Sequence, residues 1–164
     1  MGRYMVMKEK GTLQVVEELV WEDIARDLIR PGTKAACLGE KSEFREYLIK
    51  NLSSSLKVLS TSDRGSYDLI VGWQAASARA LKLCYRALRA GGAADLYGFY
   101  SQPSAEDVIN WERRLRSKSP GGTLPLPLPR AVSLSRVASW LKDSSFNHYN
   151  LSKKGIYYRL RLVR

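Results

Sequence analysis

The run Tyr67-Asp68-Leu69-Ile70-Val71-Gly72 is apolar at almost every step instead of every second one, so a strand made from it must be covered on both faces. That pattern belongs to a parallel sheet between two layers of helices. Ala75 to Ala90 follows as a helix with Leu81, Cys84 and Leu88 facing inward. Gly91-Gly92 is predicted to cap it and turn the chain into a second buried strand, Ala93 to Phe99.

Upstream, Arg3 to Lys8 alternates as a strand would, and Leu13 to Ile29 carries Val16, Leu19, Val20, Ile24 and Leu28 at helical spacing until Pro31-Gly32 stops it. Lys34 to Leu38 is a short buried strand. Ser42 is the expected N-cap of a helix with Phe44, Leu48 and Leu52 on one face, and Ser53-Ser54-Ser55 leads to a strand at Leu56 to Leu59. Only Ser60 to Ser66 separates it from Tyr67. Downstream, Ser104-Ala105-Glu106-Asp107 opens a helix to about Ser117, and Ser119 to Pro129, with its Leu-Pro alternation, is predicted as an extended surface loop. A helix at Leu134 to Lys142 precedes a hairpin: Phe146 to Leu151, a Ser152-Lys153-Lys154-Gly155 turn, and Ile156 to Val163. These elements predict one α/β domain over 1–164, with residues 1–30 as an N-terminal extension and helix and 31–164 as the core sheet.

Nothing in the first thirty residues looks like a signal peptide, and no apolar run approaches the roughly 20 residues of a membrane span, so the expectation is a soluble, cytoplasmic protein with no membrane partner. Cys37 and Cys84 suit two reduced, packed thiols. With His148 as the single histidine, a zinc site lacks ligands and no metal is expected. Sparse Gln, Asn and Cys beside abundant Arg, Glu and Leu hint at a thermophilic source.

The net charge of +11 is unevenly placed, residues 1–78 being balanced and 79–164 carrying the whole excess. Such asymmetry favours an anionic partner: RNA, DNA or an acidic protein. Arg79, Lys82, Arg86 and Arg89 recur so as to share one helix stripe opposite Leu81, Cys84 and Leu88. Arg113, Arg114, Arg116 and Lys118 gather at the end of the next helix, where cations also complement the helix dipole. Arg159 and Arg161, with Tyr157 and Arg164, make a basic, aromatic strand face. Each is a candidate nucleic-acid contact, and each is equally an ordinary wet surface.

The unit from Pro31 to Leu52 is built like a nucleotide-cofactor cradle, yet only Gly39 remains of the glycines that let a backbone approach such a ligand; Lys41 and Glu43 stand where two more would be. Pro-Gly before the first strand, Asp68-Leu-Ile-Val before a helix, Leu88-Arg-Ala-Gly-Gly before the next strand and a closing hairpin together resemble the class I S-adenosylmethionine-dependent methyltransferases over roughly residues 13–164. The resemblance implies a Rossmann-like, mostly parallel sheet of about six strands with a C-terminal antiparallel hairpin and helices on both faces, shortened by one strand after the second. It also implies an acidic residue at the end of the first strand, where this chain has Cys37, and a ribose-binding acid after the second, where it has Ser60 or Thr61 with Asp63 nearby.

Two functional readings follow. In the first, the donor site is lost, no cofactor and no catalytic residue are expected, and the domain is a basic binding or scaffolding subunit. In the second it is a divergent active methyltransferase on nucleic acid, with Gly39, Glu40 and Trp73 lining an S-adenosylmethionine pocket. Trp73 ends a central strand, where exposure would make it a stacking platform and packing would make it core. A purely structural or oligomer-forming module would bind neither ligand.

Overall fold

The computed structural model describes residues 11–28, 33–39, 43–52 and 56–164. The strand expected at Arg3 to Lys8, the Pro31-Gly32 stop, the Ser42 cap, the Ser53–Ser55 run, Glu40, Lys41 and the side chain of Leu52 lie outside them.

Among the described residues six strands form one sheet: β1 (Ala35–Cys37), β2 (Lys57–Val58), β3 (Tyr67–Trp73), β4 (Leu88–Phe99), β5 (His148–Lys154) and β6 (Tyr157–Val163), in the order β2-β1-β3-β4-β6-β5. The first four run parallel, and β6 joins β4 and β5 antiparallel. The short β2–β3 connection leaves room for no extra strand, as its length predicts. No helix among the described residues is long and apolar enough to cross a membrane.

Helices cover both faces. α1 (Thr12–Leu28), α2 (Glu43–Leu52) and α4 (Ala105–Lys118) enclose one core through Val16, Ile24, Phe44, Leu48, Trp111 and Leu115. α3 (Ala78–Ala87) and α5 (Leu134–Lys142) enclose the other through Leu81, Cys84, Val137 and Leu141. Both faces of β3 are therefore used, Leu69 and Val71 on one and Ile70 on the other, which is why its sequence does not alternate. Serines start three helices: Ser77, Ser104 and Ser133 each accept a hydrogen bond from the amide three residues on.

Three expectations are corrected. α3 ends at Ala87, not Ala90; Leu88 is already in β4, and Gly91 and Gly92 lie within that strand, bonded to Arg164. No glycine cap is needed there because the Arg164 guanidinium donates to the carbonyls of Tyr85 and Leu88, both at 2.7 Å. The hairpin turn sits at Gly155-Ile156, since β5 continues through Lys154. Gly155 has φ +77, and a Cβ there would strike the Trp111 indole. Finally, the Leu-Pro segment is not wholly a surface loop, because Leu124 and Leu128 are buried in the α1/α2/α4 core while Leu126 is exposed.

Candidate functional site

At the carboxyl ends of β1 and β3 the chain turns away from the sheet, and a cleft of about 320 Å³ opens there. Its walls include Glu17 and Trp21 from α1, Gly39 after β1, Glu43 at the start of α2, Trp73 ending β3, and Arg130. Gly39 has φ +94, a conformation that glycine adopts cheaply and that a close-approach loop requires. Trp73 is half-buried: its ring meets Phe99 edge-on at 4.9 Å, and its indole N–H donates to Glu17 Oε2 at 2.7 Å. It is a packed residue with one side on the cleft. Burial raises the Glu17 pKa, while the Trp73 hydrogen bond and the nearby Arg130 charge oppose the rise.

Neither of the two positions at which the resemblance implies a carboxylate offers one to the cleft. Cys37 is fully buried, its thiol contacts the Leu38 carbonyl, and desolvation pushes its pKa up to about 12. Asp63 folds back on its own turn, accepting from the Ser60 amide at 2.8 Å and the Tyr67 hydroxyl at 3.2 Å, and it does not line the cleft. The acids that do line it, Glu17 and Glu43, come from helices instead of strand ends.

No protein-family model matches the sequence, and no curated protein matches it. Solved structures do. A protein from Bordetella parapertussis aligns over 90% of this chain at 12% identity and a TM-score of 0.55, this chain spanning 66% of that one. An S-adenosylmethionine-dependent methyltransferase from Aquifex aeolicus aligns over 94% of this chain and 99% of its own at 10% identity and a TM-score of 0.55. A third, from Thermotoga maritima, aligns over 93% and 97% at 13% identity and a TM-score of 0.50. This chain has the class I methyltransferase-like fold. The likeness shows the architecture, and the sheet order above is its shortened form.

On this methyltransferase-like fold the basic residues singled out by sequence do not share one surface. Arg79, Lys82 and Arg86 lie exposed on α3, but Arg89 is in β4 and pairs with Asp68 at 3.2 Å, so the helix stripe has three members, not four. On the opposite layer, Arg114 forks onto Asp23 at 2.8 and 3.1 Å and stacks on Trp111, while Arg116 pairs with Glu112 and Arg113 stays exposed. The face expected from Tyr157, Arg159, Arg161 and Arg164 is likewise committed. Arg159 and Arg161 bracket Asp95, a carboxylate only 1% exposed, at 3.3 and 3.0 Å. Tyr157 is buried, and Arg164 closes α3.

Sequence reasoning locates α5 at its observed bounds but misses what its charges contribute. The helix adds Arg136 and Lys142 beside α3, so that layer presents Arg79, Lys82, Arg86, Arg136 and Lys142 with no acidic residue in either helix. None of the five pairs with an acid among the described residues. Across the sheet, α1 alone carries Glu17, Glu18, Glu22, Asp23 and Asp27 against Arg26. Adding helix charges layer by layer, once the sheet order was in hand, would have found this polarity.

Proposed function

We propose that this chain is a methyltransferase-like domain without a working donor site, acting as a nucleic-acid-binding or scaffolding subunit through its α3/α5 face. The observation that carries the reading is the concentration of five acid-free cations on that one layer. Phosphates attract unpaired arginines and lysines, whereas cations already spent on Asp23, Asp68 or Asp95 contribute little. The buried Cys37 and the inward-turned Asp63 support the loss of donor binding.

The test is fluorescence anisotropy with a labelled oligonucleotide at several salt concentrations. Affinity should fall with a logarithmic slope of about 0.7–0.9 per phosphate neutralised. Changing Arg79, Lys82 and Arg86 to Glu should abolish binding, and unchanged affinity would reject this face. Equally tight binding of poly-glutamate would transfer the reading to an acidic protein partner.

One observation favours the alternative, a divergent methyltransferase acting on nucleic acid. The indole N–H of Trp21, whose ring lines the cleft, is buried with no hydrogen-bond partner among the described residues. A saturable rise in melting temperature with S-adenosylhomocysteine would support that reading, and no rise at millimolar ligand would eliminate it.

A further inference from the structure

Beside the cleft, past the carboxyl end of β4, lies a larger cavity of about 690 Å³. Tyr100 and Gln102 form one wall, Val108 of α4 a second, and the returning Leu-Pro segment a third through Leu126 and Leu128, with Arg130 at the border shared with the cleft. Most of this lining is aliphatic, proline or aromatic, and Arg130 is its one charged residue. The volume falls within the range of cavities that enclose small organic molecules.

Three features point to a ligand here. Leu126 is 52% exposed at the rim, one of few large apolar side chains so placed among the described residues. The Arg130 guanidinium is exposed and, although its charge reaches Glu17 across the cleft, makes no hydrogen bond or ion pair to a described residue, unlike the arginines spent on Asp23, Asp68 and Asp95. The backbone is unusual at the same place. Gln74, Gln102 and Arg130 are the non-glycine residues with positive φ among those described, at +53, +60 and +58, and all three border this crevice or the cleft. Few side-chain-bearing residues hold that conformation, and those that do tend to cluster at functional sites. At Gln74 it is fastened by the side-chain amide, which donates to the Pro129 carbonyl at 2.8 Å, next to Arg130.

We propose that this cavity binds a small organic acid with an apolar body, its carboxylate on Arg130 and its hydrocarbon against Val108, Leu126 and Leu128. An apolar chamber with one planar, fork-shaped cation at its mouth selects such a molecule over a neutral one of equal size, and over an anion with no apolar part. The proposal requires neither the donor site nor nucleic-acid binding.

The probes are decanoate, its neutral counterpart decanol, and acetate, followed by calorimetry and by thermal shift below the micellar range. Decanoate should bind saturably, with decanol at least tenfold weaker and acetate without effect. Arg130→Gln should weaken decanoate tenfold or more and leave decanol unchanged, and Arg130→Lys should restore part of the loss. Arg130 is exposed, so these variants should fold. Val108→Trp, which fills the chamber, should abolish binding of both ten-carbon probes. The α3 charge-reversal variant should bind decanoate as the parent does, which separates failure here from failure of the nucleic-acid reading. Equal affinity for decanol and decanoate, or unchanged decanoate affinity in Arg130→Gln, would overturn the assignment of Arg130. Absence of decanoate binding at millimolar concentration would overturn the site.

Discussion

The indole N–H of Trp73 and the Glu17 carboxylate meet at 2.7 Å, joining the end of the central strand to α1. Burial of the Glu17 carboxylate disfavours its charged form by more than the Trp73 hydrogen bond favours it, so the folded-state pKa lies above the ordinary glutamate value. A carboxyl with a raised folded pKa binds its proton more tightly in the native state, so stability is lost as pH rises through the window between the unfolded and folded values. Glu17→Gln keeps an acceptor for Trp73 and removes the ionisation. Thermal melts from pH 4 to 8 should show the variant losing less stability than the parent across that window; parallel curves would show that Glu17 has no linkage to folding.

Asp95 makes the sheet asymmetric toward mutation. Removing both Arg159 and Arg161 leaves a carboxylate that is 1% exposed without a cation, and urea unfolding should report a loss of about 3–5 kcal/mol. Asp95→Ala instead frees two arginines whose side chains are 24% and 45% exposed and can rehydrate, so its cost should be smaller, about 1–2 kcal/mol.

Both thiols should be inert while the chain is folded. Burial pushes Cys37 and Cys84 up to about 12, and they lie in separate cores on opposite faces of the sheet. A thiol reagent at pH 8 should therefore label neither in the native protein and both after unfolding. Fast labelling of one in the native state would contradict its burial.

Arg164 should matter to stability. Its guanidinium donates to carbonyls at the end of α3 and lies 4.6 Å from the Tyr85 ring centre. Arg164→Ala should cost about 1–2 kcal/mol in urea unfolding, and Arg164→Lys should recover only part of it, because an ammonium lacks the flat fork that reaches two carbonyls.

Much of this architecture is readable from residue order. The uninterrupted apolar run at Leu69 to Val71 requires a strand covered on both faces, and the short Ser60–Ser66 link rules out another strand there. What was not readable depends on partners far away in sequence. Gly91-Gly92 resembles a helix cap, but the group that ends α3 is Arg164, which no local window contains. Arg114 and Arg161 look like free cations until tertiary structure brings Asp23 and Asp95 to them. The Leu-Pro segment read as a loop because proline breaks every periodic pattern. Its role as a cavity wall appears only when Leu124 and Leu128 dock into a core built by other elements.

The sheet divides a cationic layer, α3 and α5, from one dominated by the acids of α1. The described helices thus carry an uneven charge perpendicular to the strands. A polyanion approaching from solution would be drawn more strongly to the α3/α5 side than to the layer in which acids and bases are mixed, so docking would orient the domain before any specific contact formed. The strand ends, with their two adjoining chambers, would then point sideways and stay open to small molecules.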